Sequence, residues 1–96
     1  MNSPISQENA ETIALQALAH IAADEDRIGA FLAQTGLGVD ELRAAAGDPI
    51  VLGGVLDFLL SDEASLLAFC ETCNMAPELP GQARRALPGG EEVHWT

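Results

Sequence analysis

Cys70-Glu71-Thr72-Cys73 is the pairing whose spacing most invites chemistry. Two cysteines three residues apart can form a redox couple or give a metal two of its ligands. A redox pair of this kind is favoured at a helix start, where the dipole lowers the thiol pKa. Here the pair closes an apolar stretch, so the dipole acts the other way. Zinc would need two further ligands, and His20 and His94 are both remote in sequence. Packing is the competing explanation. Leu66, Phe69, Cys70 and Cys73 follow the i, i+3, i+4, i+7 spacing of a buried helical stripe, and a free cysteine is a good small core residue. The spacing predicts core cysteines, with metal binding or redox sensing through Cys70 and Cys73 as the alternative.

The other reactive side chains are isolated. His20 has Gln16, Ala17, Ala23 and Asp24 one turn away, which predicts a solvated or half-buried imidazole paired to Asp24. No nucleophile or oxyanion site accompanies it, so no catalytic residue is assigned. Asp57 is the only charge in a long apolar run; it either faces solvent or is a buried carboxylate bonded to an arginine or a helix terminus. Arg84-Arg85 is the only basic pair, placed where arginines face a helix C-terminus. Trp95, the single tryptophan, follows His94 near the end of the sequence. It either folds back on the domain or anchors a partner or a second copy. Trp95, His94, Arg84 and Arg85 are therefore the candidate partner-binding residues. Gly36-Leu37-Gly38 lacks the context and spacing of a phosphate loop.

These side chains must be positioned by a small domain. The 96 residues are 48% hydrophobic, enough for one globular core. Lysine and tyrosine are absent, and alanine and arginine dominate their classes, a composition that points to a GC-rich bacterial genome. The formal net charge of -11 repels nucleic acid and anionic lipid. Three acidic clusters, Asp24-Glu25-Asp26, Asp40-Glu41 and Asp62-Glu63, fall where helices should begin, so they read as dipole partners. The N-terminus lacks the basic region of a signal peptide, and the run 50–60 is far shorter than the ~20 residues of a membrane span. A cytoplasmic location, reduced cysteines and no cofactor are expected.

The periodicity predicts helices throughout. The first covers about 7–23 after an N-cap at Ser6, and the second runs from an Asp24 cap to Gly36. A short third occupies about 39–46, and Asp48-Pro49 opens a fourth that reaches Leu60. That fourth helix is apolar almost all round and should be central, its Gly53-Gly54 pair admitting a close crossing with the alanine-rich first helix. Asp62 starts a fifth helix that stops at Asn74, and Pro80 opens a sixth through Leu87. Residues 1–6 read as a flexible start, 7–88 as one helical domain and 89–96 as a tail. An offset of 38 residues lays 13–37 over 51–75 with five identities: Leu18 on Leu56, Asp24-Glu25 on Asp62-Glu63, and Ala30-Phe31 on Ala68-Phe69. The fold class is thus all-α, a compact bundle of five or six short helices, built from two pseudo-repeated units around the fourth helix.

Several of these stretches together resemble a small bacterial family. They are the Asp-Glu-led helix 24–32, the Gly47-Asp48-Pro49 restart, the run 55–60, Asp62-Glu63 and Ala68-Phe69-Cys70. The ending 83–90 with His94-Trp95 belongs to the same pattern. The chain is similar to domain-of-unknown-function family 3572 over nearly its whole length. That resemblance implies a single domain, implies no catalytic residue, and adds weight to Asp57 and the tail. The function expected is a non-enzymatic protein–protein interaction module or a small homo-oligomer, with no nucleic-acid or membrane partner. The contact would come from the exposed sides of the second and fifth helices or from the tail.

Overall fold

The computed structural model describes residues 5–88, and within them every regular element is a helix. The order is α1 (Gln7–Ala22), α2 (Glu25–Thr35), α3 (Val39–Ala44), α4 (Pro49–Leu60), α5 (Glu63–Thr72) and α6 (Leu79–Arg85). Five of the six helix starts have a side-chain cause. The Ser6 hydroxyl accepts the Asn9 N–H and starts α1. Asp24, Asp48 and Asp62 do the same for α2, α4 and α5, their carboxylates accepting N–H groups of the first turn. At α3 the roles reverse: the Glu41 carboxylate reaches back to accept the Gly38 N–H at 2.8 Å. The acidic clusters are therefore helix-start chemistry. Helix α3 ends at Ala44, two residues earlier than its apolar pattern suggested, because 45–47 close into a turn before the Asp48 cap.

Helices α1 and α4 pack on one another, and α6 lies against both. Helix α2 sits beside α1, and α5 beside α4. Ala10, Ile13, Ala14, Ala17 and Ile21 form the buried face of α1; Leu52, Gly53, Val55, Leu56 and Leu59 form that of α4. The centre is thus shared. The small side chains of α1 let α4 and α6 approach, while α4 supplies the bulk. The apolar character of α4 exceeds what the core uses, since Ile50 is 70% exposed. No pairing of α3 with another helix is extensive, and its one buried side chain is Leu42.

The offset of 38 residues recurs in three dimensions. Phe31 and Phe69, one on each second helix, are both fully buried, each worth roughly 2 kcal/mol. Gly36 and Asn74 are the two left-handed residues among those described, at φ 77° and 54°, and each terminates the helix of its unit. The aromatic contacts match as well. His20 of α1 meets Phe69 of α5 edge to face at 5.5 Å, and Phe58 of α4 meets Phe31 of α2 in the same way at 5.4 Å. His20 and Phe58 are equivalent under the offset, as are Phe31 and Phe69. Each unit therefore inserts the ring of its second helix against the first helix of the other.

Candidate functional site

Cys70 faces inward. It is 3% exposed, and its Sγ lies 3.9 Å from the Ala76 carbonyl oxygen. Burial pushes its thiol pKa up, with coulombic repulsion from Cys73 and Glu78 adding to the effect. A redox couple or a metal ligand needs the opposite shift. Cys73 forms the C-cap of α5 and is half-buried; both cysteines are free. Among the described residues no group of three or more His, Cys, Asp or Glu side chains is assembled to hold a metal.

His20 was expected to pair with Asp24, but its partner is Arg27. The Asp24 Oδ1 is occupied as a helix cap, accepting the N–H groups of Asp26 and Arg27. The Arg27 Nη1 then stands 3.4 Å from His20 Nε2 and 3.7 Å from Asp24 Oδ2. A guanidinium can only donate, so Nε2 accepts and the imidazole proton sits on Nδ1. Burial lowers the His20 pKa from 6.5 and the Arg27 charge lowers it further, with Asp24 opposing.

Asp57 and Arg84 resolve together. Arg84 Nε donates to Asp57 Oδ1 at 2.6 Å and Nη2 to Oδ2 at 3.1 Å, a two-pronged pair between α4 and α6. Nη1 donates to the Pro88 carbonyl at 3.1 Å. The buried member is the arginine, 17% exposed, whereas the Asp57 side chain is 58% exposed. Of the two alternatives for Asp57, it takes the solvent-facing one, and it is bonded to an arginine as well. The crossing expected at Gly53-Gly54 is corrected. A Cβ on Gly53 would stand 2.9 Å from Arg84 Nη1, so this glycine makes room for a guanidinium from α6, not for α1. Nothing lies within 4 Å of a Cβ on Gly54. Arg84 is accordingly spent inside the fold, while Arg85 is exposed. His94 and Trp95 lie outside the described residues. The hydroxyl of Ser65, 4% exposed, has no partner among the described residues.

A feature not singled out by the residue pattern is an apolar groove of about 290 Å³ between α1, α2 and α3. Its lining is Leu18 and Ala22 from α1, Ile28 and Leu32 from α2, and Val39, Leu42, Arg43 and Ala46 from α3 and the turn after it. Two equivalent positions in the second unit are closed: Leu56 and Cys70 are buried where Leu18 and Leu32 are only half-covered, while Leu66 is half-covered like Ile28. The groove exists because α3 has six residues and one inward leucine, too little to seal the flank of α1 and α2. The signal available in sequence was that brevity, with Val39 at its first position and glycines at Gly38 and Gly47 on either side.

Among the described residues no helix is long and apolar enough to cross a membrane. Comparison with curated proteins and with solved structures finds no match. A family model does match, over residues 7–90, spanning α1 to α6 and the turn beyond. The chain therefore belongs to the DUF3572 family, proteins of unknown function.

Proposed function

We propose that this chain is a non-enzymatic docking module of the bacterial cytoplasm, and that the groove between α1, α2 and α3 receives an apolar segment of another protein. The groove is the observation that carries the reading. Its half-covered leucines sit beside Val39, which is 55% exposed, and together they form a concave apolar surface. Such surfaces mark interaction sites. The side chains able to do chemistry are engaged elsewhere: Arg84 with Asp57, His20 with Arg27, and Cys70 in the core.

The test is a photo-crosslinking residue placed at position 39 or at position 67 in living cells. Leu67, on α5, is 47% exposed but lies outside the groove. A discrete adduct at position 39, absent at 67 and lost when Ala22→Glu is added, is the expected result. Indistinguishable labelling at the two positions would overturn the reading.

A further inference from the structure

We infer that the occupant of this groove is a cationic amphipathic helix of a different protein, an identification that rests on the docking reading above. Size comes first. A space of about 290 Å³ suits two or three apolar side chains from one helix face. The apolar path also extends beyond the groove. Leu15, 45% exposed, continues the Leu18–Ala22 stripe along α1, giving a helix a track to lie along.

Charge selects the sign of the partner. Glu11 lies one turn before Leu15 on the α1 stripe, and Glu25 lies one turn before Ile28 on the α2 stripe. Glu41 lies two residues after Val39 on α3. The one cation in the lining is Arg43, and it is offset by Asp40 at 3.8 Å, both side chains being exposed. The whole chain, at -11, adds long-range attraction for a basic segment. A second copy of so acidic a chain would be repelled.

The fold contains its own precedent. Helix α6 is the one described helix with net positive charge. It docks on α1 and α4 through Pro80, Ala83 and the following Leu87, at i, i+3 and i+7, while Arg84 reaches sideways to Asp57. An apolar edge flanked by arginine is what binds acidic helices within this chain. The open groove on the first unit offers a similar surface to an outside helix.

Three synthetic helical peptides test this by fluorescence anisotropy. One carries leucines at i, i+3, i+4 and i+7 with lysine and arginine elsewhere; one has glutamate for every basic residue; one keeps the charges but has serine for each leucine. The first should bind, and the other two should bind at least about tenfold more weakly. Val39→Glu and Ala22→Glu, both at exposed positions, should weaken the first peptide about tenfold, whereas Leu67→Glu should not. Plain charge attraction predicts that all three substitutions strengthen binding, because each makes the chain more acidic.

Equal binding of the basic and acidic leucine peptides would overturn the cationic partner but leave docking standing. Binding of the serine peptide that matches the first and ignores Val39→Glu would overturn both. No binding by the first peptide would overturn the cationic partner, and the crosslinking result would then decide docking alone. A dimer in light scattering that Val39→Glu dissociates would assign the groove to a second copy and overturn the inference.

Discussion

His20 and Phe58 stand at equivalent places in the two units and meet equivalent phenylalanines, but only the imidazole can take a proton. Its folded pKa lies below 6.5 because of burial first and Arg27 second. Well above 6.5 the residue is neutral in both folded and unfolded chains and contributes no pH dependence. As pH falls from 6.5 toward the lowered folded value, the unfolded chain binds the proton first, so stability drops across that window. Urea denaturation at a series of pH values should show this acid limb in the native chain. His20→Phe, which copies Phe58, should flatten it; an unchanged limb would assign the effect to other groups. The identities of His20, Asp57 and Arg84 were legible in the sequence, but their partners were not. Asp24 was the nearest acid to His20 along the helix, yet its prior engagement as a cap turned Arg27 toward the ring. Asp57 and Arg84 are 27 residues apart, and no local rule pairs them.

The helices themselves were largely written in local chemistry. Ser6, Asp24, Asp48 and Asp62 start helices, and Gly36 and Asn74 stop them, because caps and left-handed stops depend on residues a few positions apart. The glycine pair in α4 shows where local reasoning ends. Both glycines carry the same intrinsic helix penalty, about 1 kcal/mol relative to alanine. Gly54→Ala should therefore stabilise the fold by about 0.5–1 kcal/mol, since its Cβ would meet nothing. Gly53→Ala should forfeit that gain and leave stability about unchanged, because the guanidinium of Arg84 has to move away from Asp57 and the cost offsets the helix propensity. Urea midpoints for the two variants check the contrast, and equal shifts would refute the role assigned to Gly53. Helix α3 illustrates the same limit. Its apolar residues were evident, but a six-residue helix that leaves a groove open can be recognised only when its neighbours are in place.

At the scale of the molecule, the excess of acids acts as a uniform load. Asp24, Asp48 and Asp62 are stabilised locally as caps, but the net charge of -11 still repels itself across a small globule. Sodium chloride should relieve it. With the Debye length reduced to about 10 Å at 0.1 M, Tm should rise by several degrees relative to a low-salt buffer, equivalent to about 1 kcal/mol. Scanning calorimetry across a salt series checks this, and a flat or falling Tm would show that the three ion pairs among the described residues outweigh the repulsion. The sequence by itself determined the helical class, the caps, the stops and the 38-residue echo between units, because each depends on residue type and short-range spacing. The tertiary structure decided that α6 rather than α1 fills the space at Gly53, and that each unit's phenylalanine packs on the other unit. It also decided that the first unit keeps an open groove at Leu18 and Leu32, whose equivalents Leu56 and Cys70 in the second unit are buried. Those outcomes depend on how helices with nearly interchangeable apolar stripes divide a shared interior. That division is settled by volume and by long-range pairs such as Asp57 with Arg84.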